Sequence, residues 1–260
     1  TLIEGIIPRQ ATVLYLDWES DKDEINARVR GVAMGGNLKK PASILYRACH
    51  GPLHDQVEDL ARLVDQYAVG LVVVDSVGLA SGTGSDGGDA AETALRLFAA
   101  FRILQAAHEG CAVLAIDHVS KADADNGKGA RPYGSIYKVN LARAMFELRA
   151  GPQGQATTSL GLYNTKSNVR RAVAPIALEV THDEDGAVRY QRLSQMSADL
   201  KTETLADRIY DALEGERFTP DEIAKMLGED NNKVRAVLSR KKAMFNRLTY
   251  GKWEVLPRAS

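Results

Sequence analysis

Three short apolar runs end in polar residues: Thr12-Val13-Leu14-Tyr15-Leu16-Asp17-Trp18-Glu19, Leu71-Val72-Val73-Val74-Asp75-Ser76 and Val113-Leu114-Ala115-Ile116-Asp117-His118. Each is too short to span a membrane and too continuously apolar for a loop. This is the pattern of a strand buried on both faces of a parallel sheet. In open α/β sheets the ligand crevice lies outside the carboxyl ends of the strands, so the pattern predicts that Glu19, Asp75 and His118 converge there. For any one of them alone, a strand that merely stops at a polar residue explains the pattern as well.

Helical periodicity fills the intervals. Ser20-Asp21-Lys22-Asp23-Glu24 gives a capping residue and an acidic first turn ahead of Ile25, Val29 and Val32. Pro41 to Tyr46 reads as a strand, and Asp55 to Gln66 as a helix with Val57, Leu60, Leu63 and Val64 on one face. Gly78 to Asp89, rich in Gly, Ser, Thr and Asp, predicts a mobile loop, and Ala90 to His108 an amphipathic helix carrying Leu97, Phe101 and Leu104. The order is βαβαβ, which predicts a mainly parallel sheet flanked by helices, an α/β fold.

The period changes after Arg143. Arg143 to Arg149, Thr158 to Thr165, Ile176 to Thr181 and Val188 to Leu193 read as short strands with Gly- and Asp-rich turns between some of them, which predicts antiparallel pairing at one side of the sheet. Ser194 to Glu203 is polar and predicts a linker. The expected division is therefore 1–193 for the core, 194–203 for the linker and 204–260 for a small terminal domain.

In that last part Leu205, Ile209, Tyr210 and Leu213 mark one helix, Thr219-Pro220-Asp221-Glu222 opens a second with a capping-box signature, and Asn231 opens a third. Phe245 to Leu256 then reads as two strands around a Tyr-Gly-Lys turn. Three short helices and a hairpin resemble a winged-helix domain. Lys233, Arg235, Arg240, Lys241, Lys242, Arg247 and Lys252 crowd the third helix and the hairpin, and Asn231 to Lys252 contains no Asp or Glu. Such a patch predicts nucleic-acid binding, with protein docking as the other use of this fold.

Composition narrows the classes. The 260 residues carry a net charge of −1 and are 45% hydrophobic, enough for a packed core. No apolar run reaches membrane-spanning length and Thr1-Leu2-Ile3-Glu4-Gly5 lacks a secretory signature, so a cytoplasmic protein is expected. Cys49 and Cys111 have no CxxC spacing and predict structural thiols; His50 and His54 lie in a loop-like segment and are a poor zinc pair.

VLYLDWES, LVVVDS with its Gly-rich sequel, VLAIDHVSKA, GSIYKVNLARAMFELR and YNTKSN occur in the order found in RecA-like ATPases. Over roughly residues 1–193 the chain resembles the RepA-type replicative helicase branch of the AAA family ATPases. That resemblance implies a RecA-like core, ATP and Mg2+ bound between subunits of a homo-oligomeric, hexameric ring, and DNA, single-stranded at the core, as partner. It implies Asp75 for the magnesium shell, Glu19 as the base that orients the attacking water, His118 as a sensor of the γ-phosphate, and Lys166 as a cation reaching the neighbouring subunit's nucleotide. Asn168 stands where an arginine is expected, which leaves Lys166, Arg170 and Arg171 as trans-acting candidates and a solvated basic turn as the alternative. Loops after Asp75 and His118 would face the central channel; the second carries Lys121, Lys128, Arg131 and Tyr133, cations and an aromatic suited to phosphate and base contact.

One motif is missing. No G-x-x-x-x-G-K-[ST] string occurs in these 260 residues, so the expectation is a chain that binds ATP poorly or not at all. Truncation of a P-loop-bearing parent and a natural pseudo-ATPase both account for it. The function expected of the parent is an ATP-dependent DNA helicase or translocase of plasmid or phage replication. The alternatives are a non-enzymatic DNA-binding regulator on a degenerate core, and a RecA-like signalling or recombination ATPase.

Overall fold

The computed structural model describes residues 10–82, 89–119, 136–151, 156–168, 173–197, 200, 205–242 and 244–256. It divides into two compact units after Leu200.

In the first unit the alternating α and β segments build a four-stranded sheet from β1 (Thr12–Asp17), β2 (Ile44–Ala48), β3 (Val69–Asp75) and β4 (Ala112–Ile116). The order is β2-β1-β3-β4 and every pairing is parallel. The crossovers carry α1 (Lys22–Gly35), α2 (Val57–Gln66), the single turn α3 (Val77–Ala80) and α4 (Ala90–Ala107). Asp21 caps α1 by accepting the N–H groups of Asp23 and Glu24, and Asp89 caps α4 through Ala91.

Strand periodicity sorts the two faces of this sheet. Leu14, Leu16, Val72 and Val74 are buried in one cluster with Val57, Leu60 and Val64 of α2 and Leu97, Phe101 and Leu104 of α4. The alternate positions of β1 and β3, Tyr15, Asp17 and Asp75, lie on the other face, which is how a run of valines and leucines delivers carboxylates to one side. On β4 the same alternation leaves Leu114 and Ile116 exposed at 54% and 39%.

After α5 (Ile136–Leu141) come β5 (Ala144–Ala150), β6 (Thr157–Ser167), β7 (Ile176–His182) and β8 (Val188–Leu193). These pair antiparallel in sequence order and form a second four-stranded sheet of their own. The far strand β8 lies against α1, and glycine makes that approach possible. A Cβ on Gly35 would sit 1.9 Å from the Val188 carbonyl oxygen, and one on Gly31 2.8 Å from the Gly186 oxygen.

Some boundaries moved. The strand expected over Pro41 to Tyr46 runs Ile44–Ala48, leaving Pro41, which has no N–H to donate, outside the ladder. Gly78 to Ala80 belong to the helical turn α3, held by the burial of Val77 and Ala80; of the loop expected there, 83–88 lie outside the described residues. Within the segment read as a linker, Leu200 is 3% exposed and its carbonyl accepts the Tyr163 hydroxyl.

The second unit comprises α6 (Leu205–Ala212), α7 (Pro220–Leu227), α8 (Asn231–Arg240) and an antiparallel hairpin of β9 (Phe245–Arg247) and β10 (Trp253–Val255). Phe218 forms a bridge with Trp253. Ile209, Leu213, Ile223, Val234, Leu238 and Phe245 pack as its core. Thr219 and Glu222 make the full capping box, Gly228 ends α7 in the left-handed region, and Asp230 caps α8 through Lys233.

Candidate active site at the strand ends

Glu19 and His118 meet just beyond the carboxyl ends of β1 and β4, and Asp75 ends β3, the strand that lies between them. Oε1 of Glu19 accepts the Ser76 hydroxyl and faces Nε2 of His118 at 3.2 Å. The side chains of Glu19 and His118 are 36% and 68% exposed, so the pair is open to a ligand. The Ser76 hydroxyl lowers the Glu19 pKa below the ordinary value; burial opposes this, and His118 adds to the lowering through its hydrogen bond and charge. Glu19 is therefore a carboxylate at neutral pH.

Asp75 receives the Tyr15 hydroxyl on Oδ2. Tyr15 pairs with Val73 in the register of β1 and β3, so Asp75, two residues on, is its diagonal neighbour on the same face. Burial raises the Tyr15 pKa well above its ordinary value, and the hydrogen bond and charge of Asp75 raise it further.

Sequence reading missed the residue that shapes the Glu19 turn. Asp17 is 2% exposed, and its carboxylate accepts the Glu19 N–H at 3.0 Å, the Ser20 N–H at 2.9 Å, the Ser20 hydroxyl at 2.7 Å and the Tyr46 hydroxyl at 3.0 Å. Burial pushes its pKa up, but these hydrogen bonds outweigh it and hold the carboxyl below the ordinary value. Burial and the same carboxylate push Tyr46 up to about 12. The available signal was an aspartate two residues before the candidate base, inside an otherwise apolar run.

His118 has a comparable support. Asp117 Oδ1 accepts the His118 N–H at 3.0 Å, while Oδ2 pairs with Lys138 of α5 at 2.9 Å. Lys166 is placed otherwise than as a free cation. Its ammonium donates to the carbonyls of Val139, Asn140 and Ala142 at 2.7, 2.8 and 2.7 Å, closing the carboxyl end of α5. Arg170, Arg171, Lys121, Lys128, Arg131 and Tyr133 lie outside the described residues.

Residues 3–124 match the AAA domain family. This match supports an ATPase-type domain built on the parallel sheet and including Glu19, Asp75 and His118. Among solved structures, a KaiC-like protein from the hyperthermophilic archaeon Pyrococcus horikoshii OT3 is similar at 12% identity and a TM-score of 0.45, over 70% of this chain and 76% of that one. No curated protein sequence matches the chain.

The second unit exposes Lys233, Arg235, Arg240, Lys241, Lys242, Arg247 and Lys252. Lys233 and Arg240 line one cleft of α8 with Asn232, Ala236 and Val237. Arg235 instead faces Asp221 of α7 at 3.5 Å, an exposed pair that holds little energy and leaves the guanidinium available.

Proposed function

We propose that the intact protein is an ATP-driven DNA motor of the RepA-type replicative helicase branch, with a RecA-like core that works as a homo-oligomeric ring and a winged-helix domain that binds DNA. The observation that carries the reading is the Glu19, Ser76 and His118 constellation beside Asp75, drawn from neighbouring parallel strands within an AAA-matched segment.

The residues suit the cofactor. Asp75 offers a hard oxygen, Oδ1, that accepts no hydrogen bond among the described residues, while Tyr15 fixes Oδ2. Among the described residues no group of three or more His, Cys, Asp or Glu side chains gathers as a metal cage. That suits Mg2+, which keeps much of its water and is held by one or two carboxylates together with substrate phosphates. Magnesium-bound ATP, when present, supplies the phosphoryl group and the cation that neutralises its charge.

The side chains then divide the work. Glu19 is ionised and its Oε1 is occupied by Ser76 and His118, so Oε2 holds the attacking water and takes its proton. His118 reads the state of the site through its contact with Glu19 and passes it to the chain that follows. Lys166, Arg170 and Arg171 are the candidates for the cation supplied to a neighbouring subunit; Lys166 serves only if its ammonium leaves the α5 carbonyls.

The phosphate cradle of this reading has to come from outside these residues, since they hold no G-x-x-x-x-G-K-[ST] string. That same feature favours the second reading, a DNA-binding regulator on a degenerate core. ATP hydrolysis by the full-length protein, with and without single-stranded DNA and beside its Glu19→Gln variant, separates them. DNA-stimulated turnover that the variant loses supports the motor; no turnover by the full-length protein selects the regulator.

A further inference from the structure

Tyr250 occupies the turn of the β9–β10 hairpin and is 96% exposed, whereas the next most exposed large apolar side chain among the described residues, Leu148, stands at 61%. Its backbone is left-handed, φ 59 and ψ 24, and Gly251 follows with φ 72. Consecutive positive φ values are the pattern of tight hairpin turns in which Asn-Gly is the usual pair. An aromatic residue at the first position is an outlier there. Its ring makes no packing contact among the described residues that would repay the conformation, so the fold's stability does not account for it.

The surroundings point to a ligand. Arg247, Thr249 and Lys252 are exposed around the turn. The hairpin's own carboxylate, Glu254, is engaged by Arg217 at 3.4 Å and by Asn246 at 3.1 Å. Of the acids outside the hairpin, Glu222 lies close enough to Lys252 to be stabilised by its charge. An outward aromatic ring between cations matches a base flanked by phosphates. A protein-docking tip would instead surround the ring with further exposed apolar side chains, and its exposed neighbours are polar.

We propose that Tyr250 stacks on an unpaired nucleobase, so that the hairpin recognises single-stranded or junction DNA while Lys233, Arg240 and their neighbours on α8 hold phosphates. This rests on the DNA-binding reading of the second unit. The experiment is fluorescence anisotropy of the whole 260-residue chain on three DNA probes of equal phosphate number: a single strand, a blunt duplex and a duplex with a single-stranded tail. Tyr250→Asn removes the ring while suiting the left-handed backbone, and Tyr250→Phe keeps the ring. A circular-dichroism melt checks that both are folded.

The expected result is about tenfold weaker binding of Tyr250→Asn to the two probes with unpaired bases. Tyr250→Phe restores it, and affinity for the blunt duplex changes less than about twofold with the salt slope unaltered. Lys252→Ala lowers that slope by about one on every probe. Equal losses on all three probes, or no loss in Tyr250→Asn while the unaltered chain binds, overturns the stacking proposal and leaves DNA binding standing. An unaltered chain that binds none of the probes overturns both.

Discussion

Glu19 and His118 are separated by 99 residues and meet across 3.2 Å. Ser76 grips the same carboxylate oxygen and is the largest cause of its lowered pKa. The acid limb of ATP turnover by the full-length protein is therefore expected below the ordinary carboxyl value of 4.5, with activity lost as pH falls through it. Ser76→Ala removes the donor and moves that limb upward. A pH profile of kcat/KM checks this, and an unmoved limb in the variant would detach Ser76 from the chemistry.

Asp17 is expected to matter to stability as well as to Glu19. Asp17→Ala leaves the part-buried hydroxyl and N–H donors around it without their acceptor, at a cost of about 1–3 kcal/mol in urea unfolding at pH 7. The pH window follows from its depressed folded value. The contribution is complete above the ordinary value of 3.8 and is lost as pH falls below it through the folded value. An unfolding midpoint equal to that of the unaltered chain at neutral pH would contradict this.

Tyr15 and Tyr46 give an alkaline counterpart. Their folded pKa values lie above the ordinary 10.0, so the stability they confer is complete below that pH and is lost as pH rises through the folded values. Ultraviolet titration of the native chain is expected to leave both unionised at pH 11, and Tyr46→Phe removes one of the late-titrating groups. A titration in which every tyrosine ionises together near pH 10 without unfolding would count against the carboxylate contacts.

Gly35→Ala tests the seam between α1 and β8. Alanine ordinarily strengthens a helix by about 0.5–1 kcal/mol over glycine. Here the added methyl meets the Val188 carbonyl, so a net loss of about 1–3 kcal/mol is expected. Thermal unfolding reads the sign directly, and a raised Tm would mean that the two elements do not approach so closely.

Much of this was legible because a parallel strand buried on both faces writes itself as a continuous apolar run whose end marks the crevice. The positions of Glu19, Asp75 and His118 at strand ends were readable that way, and the capping box at Thr219 and Glu222 was readable from spacing alone. Asp17 was hidden because its role depends on Tyr46, a partner 29 residues away, and on a burial that no local pattern encodes. The contacts of Lys138 with Asp117 and of Lys166 with α5 were hidden for the same reason. Turn chemistry foretold that β5 to β8 pair with one another, but turns fix neighbours within a sheet and not which sheet the strands join. Gly31 and Gly35 are one helical turn apart, a signal for close approach that was in the sequence and went unread.

The short helix α5 is fastened by two lysines, one within it and one at its carboxyl end. Lys138 ties it to Asp117 beside His118, and Lys166 ties its last carbonyls to β6 in the other sheet. Six helical residues held this way act as a strut in a truss. The end of β4 that carries the imidazole and the end of β6 in the second sheet are thus joined through one short helix.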